Sequence, residues 1–558
     1  MADAIAFLEN PVITPATSAA TAQVAVVLLR ASGHAEVRLL VEQGSEARTL
    51  VFSDPGAFAE GFPVLGLRAD APATITVQVI DAKGRAVTHP EPLVFDPEPL
   101  PVDKRDFPPI EVRASDPARM APGYTILAVR RRAIGRPRDL TDRQRSFMLD
   151  WSMLIALDAQ GRVCWRHQLP RRVAGIQRLQ SGNLFYHNAD SHSSEIDMLG
   201  RVQAQWFARD RPAGPAPGAI PIPVQTLHHQ PHQMPNGNFL ALSGNARLAK
   251  DWYTSEFDPD APRADKWIVG DRILEFTREG EIVWSWDAFD HLDINRIGYN
   301  ALEAYWHVRG FPEHGDWTHG NGVCYDERDD SVIVSLRLQD ALFKIDRKSG
   351  QIKWILGDHS DWSPELQAKL LTPQGEGFRW PWHGHNPRVT SDGTIVMFDN
   401  GILGARPFTP PKAPHETFSR GVEYLVDEEA MTVREVWTSA RDDSAVKERT
   451  WAMGDAHRLE ESDTMLVIHS ICMPDRDDMS YDENNPAIRH PDDFASSARI
   501  LEYTRTDEPE ILFDVVIEDP HEIMQWEVFG GLRTPSLYAP DSGVRELPGN
   551  ELHAGGVV

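Results

Sequence analysis

A chain of 558 residues with 83 acidic against 56 basic side chains, a formal charge of −27, repels nucleic acid and anionic membrane on average, so neither is an expected partner. A local basic pocket for a small anion stays open. With 41% apolar residues and 16 tryptophans the chain can build large buried cores, which excludes a disordered polymer, and no run of about 18 apolar residues marks a membrane span.

The opening MADAIAFLENPVITPATS has no basic stretch ahead of an apolar core, so no secretory leader is read. Location is left open, periplasmic if a leader has been removed and cytoplasmic otherwise. Residues 1 to about 115 contain short alternating runs, AQVAVVLLRA, AEVRLLVEQG and ATITVQVIDAKG, separated by Gly, Pro and Asp turns. Alternation with period two buries one face of each run, and a small β-sandwich is the expected fold. The proline-rich FDPEPLPVDKRDFPP, residues 95 to 109, reads as a linker. The expected domains are 1–115, sandwich and linker, and 116–558.

Downstream the chain repeats itself. Six segments run from a polar turn into a strand that ends on an aromatic, at Trp165, Trp206, Trp284, Trp354, Trp437 and Phe513. Between them lie second strands such as HQMPNGNFLALSG and NPRVTSDGTIVMFDN. Recurring β-units that cannot bury their faces alone predict an all-β propeller, one sheet per blade. The aromatics are 41, 78, 70, 83 and 76 residues apart, mostly more than the roughly 40–50 of a plain blade, so long loops are expected. Trp165, Trp284, Trp354 and Trp437 are expected in the core between blades. The scattered Cys164, Cys324 and Cys472 show neither disulfide-scaffold nor zinc-site spacing and are expected as buried thiols.

The polar chemistry clusters next to the repeat strands. HHQPHQ supplies His228, His229 and His232, DWTHGN supplies His319, SLRLQD supplies Arg337, and WHGHN supplies His383 and His385; His457 follows in GDAHRL. Equivalent blade ends converge on a propeller's axis, so His229, His319 and His385, recurring at one phase, can form a ring. Such a ring can bind a metal, act as acid and base, or attack an electrophile. Arg337 opposes a divalent cation and suits a tetrahedral oxyanion, which turns the reading toward an anion. Asp316, Asp340 and Asp399 either fix imidazole tautomers or cap turns.

Taken together, HHQPHQMPNGN, DWTHGN, SLRLQDALFKIDRKSGQIKWILG and HGHNPRVTSDGTIVMFDNG resemble the bacterial aryl-sulfate sulfotransferases over residues from about 116 to 545. The resemblance implies a six-bladed propeller behind a small N-terminal β-domain. It implies sulfuryl transfer from an aryl sulfate to a phenolic acceptor, without a nucleotide donor, through a sulfated histidine in a ping-pong exchange. By position it puts the nucleophile at His385 and its sulfate-binding partners at His229, His319 and Arg337. His228, His232, His383, His457 and Asp399 become substrate-binding or auxiliary groups, and no cofactor is expected. The chain departs from the family pattern at Gln230, where an acidic residue is usual, and in the additional His232 and His383.

Three other functions compete. A transition-metal-dependent hydrolase, lyase or oxidase would use His228, His229, His232, His319, His383 and His385 as ligands. An aryl sulfatase would pass the sulfuryl group to water, and a non-catalytic propeller would bind a protein or glycan. A homodimer through the N-terminal domain is a further expectation, and the acidic stretch 471–495 reads as a solvated insertion.

Overall fold

The computed structural model describes all residues except 1–4, 17, 137–138, 189–190, 212–216, 304, 445, 475–478, 480–488, 520–523 and 554–558. Most of the acidic stretch 471–495 therefore lies outside the described residues. The architecture is all-β, with helices limited to short pieces such as Asp142–Leu149 and Pro364–Gln367.

Among the described residues, six antiparallel sheets carry the repeats, each with four core strands in meander order. Their first strands are Val173–Arg178, His228–Gln233, Gly320–Asp326, His385–Val389, Asp455–Leu459 and Gln525–Thr534. These six strands neighbour one another in that order, and the last meets the first. The sequence order is broken at one sheet only. Gln525–Thr534, from the C-terminal end, pairs with Tyr124–Arg132, so the two ends of the repeat region are hydrogen-bonded together.

The repeat aromatics explain how adjacent sheets adhere. Trp165, Trp206 and Trp284 each donate the indole N–H to a backbone carbonyl in the next sheet's outer turn, at Met198, Arg278 and Arg347, all at 2.8 Å. Trp354 reaches the Glu428 carboxylate at 3.1 Å in the same relation. The ring fills the gap between sheets while its single donor satisfies a turn, which suits an amphipathic side chain to this joint. Trp165, Trp354 and Trp437 are buried; Trp284 is only half-buried, and Trp286, two residues on and on the same face, fills the core in its place.

The N-terminal residues form two sheets. One runs Ala86–Thr88, Ala73–Asp81, His34–Gln43, Glu46–Phe52 and the C-terminal Val544–Pro548; the other is Val12–Pro15, Ala25–Leu28 and Phe62–Val64. Val37, Leu39, Phe52, Val64 and Val77 meet in one core that continues through Trp165 into the repeat sheet of Tyr124–Arg132 and Gln525–Thr534. The chain crosses position 115 in both directions: Ile110–Ser115 adds a strand to the sheet of Asp455–Leu459 and Thr21–Ala22 one to the sheet of Tyr124–Arg132 and Gln525–Thr534, while Val544–Pro548 joins the N-terminal sheet. The linker is anchored as well, with Phe107 buried and Lys104 on Asp519 at 2.6 Å. The three cysteines are buried and unpaired.

Trp206 tests the indole joint. Trp206→Phe keeps an aromatic ring but leaves the Arg278 carbonyl without its donor, an expected loss of about 1 kcal/mol, whereas Trp206→Ala opens a cavity and loses about 3–5 kcal/mol. Thermal melting of the two variants should rank them in that order below the parent; equal melting temperatures for all three would contradict the joint.

Candidate active site

The first strands do not run straight where they face one another. The ladder slips between His228 and His232, between Gly320 and Gly322, and between His385 and Arg388. At or just before these irregularities the backbone enters the left-handed region at non-glycine residues, His229 (φ 60°), His319 (47°), His383 (56°) and Asn386 (50°), and again at Met453 (61°). Such a bulge re-aims a side chain that ordinary alternation would send into the sheet. The neighbouring strands close in tightly: a Cβ at Gly175 would lie 2.2 Å from the His229 carbonyl, and one at Gly322 2.7 Å from Asn386 Cα.

The re-aimed side chains bound one cavity of about 170 Å3, and its lining includes His229, His319, Arg337, His385, Tyr305 and Trp451. All four residues expected to carry the chemistry meet there. His229 and His319 have ring centroids 5.1 Å apart, and the Tyr305 ring lies 4.2 Å from that of His319. Arg337 sits on a one-turn helix, Arg337–Gln339, with its backbone N–H donating to the His319 carbonyl at 3.1 Å.

Each imidazole is oriented from behind. His385 Nδ1 faces two oxygens, Asn400 Oδ1 at 2.7 Å and the His383 carbonyl at 3.0 Å. Both are acceptors, so Nδ1 carries the proton and Nε2 keeps its lone pair. A weak contact from the Met453 N–H meets that lone pair at 3.2 Å. Burial, then the Arg337 charge, hold His385 well below the usual imidazole range, so the ring stays neutral.

His319 Nδ1 is hydrogen-bonded to the Asp316 carboxyl, whose other oxygen accepts from the Trp306 indole at 2.8 Å. Burial pushes Asp316 up to about 8, helped by nearby Asp271, and burial with the Arg337 charge pushes His319 well down. Both directions favour a neutral pair; with the shared proton on the Asp316 carboxyl, Asp316 donates to Nδ1 and the His319 Nε2–H is left as a donor. His229 Nδ1 lies 2.7 Å from His228 Nδ1, and His228 Nε2 lies 3.2 Å from Asp271. With the His228 proton on the Asp271 side, His229 donates to His228, and His229 Nε2 becomes an acceptor. Burial, then the neighbouring His228, depress His229 well below the ordinary imidazole range.

The remaining expected residues lie behind this wall or away from it. His228 backs His229. His383 is buried with Nδ1 2.9 Å from Asp340, itself paired with Arg406 at 2.7 Å. Asp399 accepts the Trp382 and Gly401 N–H groups and pairs with Arg420 at 3.0 Å, which is turn capping. His232 and His457 do not line the cavity; His457 faces Asp455 at 3.2 Å. The six candidate metal ligands are thus divided between environments, and among the described residues no group of three or more His, Cys, Asp or Glu has a metal-holding arrangement. Gln230, the departure from the usual acidic residue, donates to the Ile176 carbonyl and ties two first strands together.

Several lining residues escaped the sequence reading, among them Tyr305, Trp451, Met453 and the arginines Arg130, Arg132 and Arg172. The basic run AVRRRAIGRPR, residues 128–138, was the visible signal for Arg130 and Arg132.

The sequence profile of the family described as Arylsulfotransferase (ASST) matches residues 138–521. The chain belongs to that family. It is 28% identical over 310 residues to the arylsulfate sulfotransferase AssT of Escherichia coli O6:H1, 48% of this chain and 47% of that one. It is 28% identical over 312 residues to AssT of Lelliottia amnigena, with the same two shares. The chain spans about half the length of the curated relatives it matches. A solved structure of a Bacteroides caccae protein of unknown function covers 74% of this chain and all of its own, at 11% identity and a TM-score of 0.37. The arylsulfotransferase match extends across His229, His319, Arg337 and His385.

The protonation state of His385 in this chain can be read directly. An imidazole with the ordinary value near 6.5 would lose about three-quarters of its neutral form by pH 6. Because His385 is shifted downward, its 15N ring signals, assigned by loss in His385→Asn, should remain those of the neutral Nδ1–H tautomer at pH 6. A protonation midpoint near 6.5 would contradict the site as described.

Proposed function

We propose that the chain transfers a sulfuryl group from an aryl sulfate to a phenol, with His385 as the nucleophile. We also read the six repeat sheets as the blades of a six-bladed propeller, with the two N-terminal sheets as an accessory β-sandwich. The observation that carries the chemistry is the pinned His385 ring, whose Nδ1 is committed to Asn400 and the His383 carbonyl and whose Nε2 is the one lone pair available for attack.

The aryl sulfate enters with its sulfuryl oxygens toward Arg337 and the His319 Nε2–H, fixed donors in a buried site. His385 Nε2 attacks sulfur in line, the S–O bond to the ring breaks, and the phenolate leaves with the electron pair. The Met453 N–H, freed from the imidazole, turns to a sulfuryl oxygen. In the second half-reaction an acceptor phenol gives its proton to His229 Nε2, attacks sulfur, and the S–N bond breaks to restore neutral His385. His228 and Asp271 steady the resulting imidazolium of His229, which then gives its proton to water and is restored as a base for the next turnover. Tyr305 and Trp451 offer aromatic walls for the ring. Each step uses one pocket for donor and acceptor, as ping-pong exchange requires.

Initial rates with 4-nitrophenyl sulfate test this reading. Nitrophenol release should depend on added phenol, double-reciprocal plots at several phenol concentrations should be parallel, and His385→Asn should abolish release. Arg337→Lys, which loses the planar fork, should lower kcat by about 100-fold or more. Release that proceeds undiminished without phenol would make the protein a sulfatase, and full activity in His385→Asn would remove the nucleophile.

A further inference from the structure

The cavity is far more basic than the chain that contains it. Seven arginines line it against two carboxylates, Glu303 and Asp492, in a protein of formal charge −27. One of the seven, Arg337, belongs to the sulfuryl site. Three others, Arg130, Arg132 and Arg172, converge on a single fully buried carboxylate, Glu527, at 2.8, 3.1 and 2.5 Å. Arg132 also reaches Asp492 at 2.9 Å. Two carboxylates therefore serve three buried guanidinium groups.

Arg172 is the member left over. It spends one terminal nitrogen on Glu527, while its Nε and other terminal nitrogen are buried with no hydrogen-bond partner among the described residues. The residue is 8% exposed and lines the cavity. Burial, and then the neighbouring Arg130, push its guanidinium down to about 9, the direction expected of a cation short of counter-charge. Leaving guanidinium donors buried and unspent is costly, and an anion that accepts them removes the cost.

The cluster adjoins the sulfuryl site. Arg130 lies 4.9 Å over the Phe529 ring, and Phe529 is 5.8 Å from the His229 ring. The same arginine donates to Met453 Sδ, and the Met453 N–H touches His385. An aromatic ring against Phe529 and Trp451 would thus have the sulfuryl chemistry at one end and the arginines at the other.

We propose that Arg172, backed by Arg130 and Arg132, forms a second anion subsite, and that the preferred aryl substrates carry a carboxylate besides the oxygen that bears the sulfuryl group. This deepens the sulfuryl-transfer reading and rests on it for the direction of the substrate. A carboxylate supplies anionic acceptor oxygens for the unspent Arg172 nitrogens.

The test compares 4-(sulfooxy)benzoate with its methyl ester as donors. The ester yields the more acidic phenol, so leaving-group chemistry favours the ester, and any preference for the acid reports recognition. The parent protein should prefer the acid by about tenfold or more in kcat/KM, Arg172→Met should collapse that ratio, and Arg172→Lys should keep part of it. A purely structural arginine would lower both rates together and leave the ratio intact; that result, or no preference in the parent, would overturn the subsite. If neither donor turns over, sulfuryl transfer itself fails, and calorimetry decides the subsite separately. Binding of 4-hydroxybenzoate that exceeds that of methyl 4-hydroxybenzoate and is lost in Arg172→Met would uphold it, and equal binding of the two would refute it.

Discussion

Everything at the site depends on how closely the first strands crowd one another. The His229 carbonyl lies 2.2 Å from where a Cβ of Gly175 would be, an approach only glycine permits, and the ladder beside it slips between His228 and His232. His229, His319, His383 and Met453 accept left-handed conformations there, each at a cost on the order of 1–3 kcal/mol that the surrounding sheets sustain. The indole joints between sheets supply that surrounding rigidity from the outer side. Strain near the axis and adhesion at the rim are two aspects of one arrangement, and its product is a set of imidazoles aimed inward.

Burial then decides how those groups ionise. None of the three imidazoles has water enough to carry a charge, so each rests neutral, and its orientation comes from a partner behind it: Asn400 and the His383 carbonyl for His385, Asp316 for His319, His228 for His229. The positive charge in the cavity is supplied instead by arginines, which keep it at any physiological pH. A neutral imidazole beside fixed cations suits the proposed attack on an anionic electrophile. The excess of acid elsewhere on the surface does not reach this enclosed field.

Much of this was legible in the residues. The period of the turn-to-aromatic repeat gave the all-β organisation, and the recurrence of histidine at one phase marked His229, His319 and His385. Arg337, read together with these histidines, lines the same cavity. What could not be read was anything set by contacts between distant sheets. The return of Gln525–Thr534 to pair with Tyr124–Arg132, the exchange of strands across position 115, and the grouping of Arg130, Arg132 and Arg172 on Glu527 all join residues tens to hundreds of positions apart. Local pattern also misassigned the aromatic at Trp284, because Trp284 and Trp286 alternate identically and only packing tells which is buried. His383 and Asp399 looked like site residues by proximity in the chain, yet a bulge turned one into Asp340 and the turn consumed the other.

The central claim is that a neutral His385 becomes covalently sulfated. Peptide mass spectrometry after a brief exposure to 4-nitrophenyl sulfate without acceptor tests it most directly. The account predicts a gain of about 80 Da on the peptide carrying His385, discharged when phenol is added. The same gain on another residue, or turnover with no adduct under trapping conditions, would contradict it.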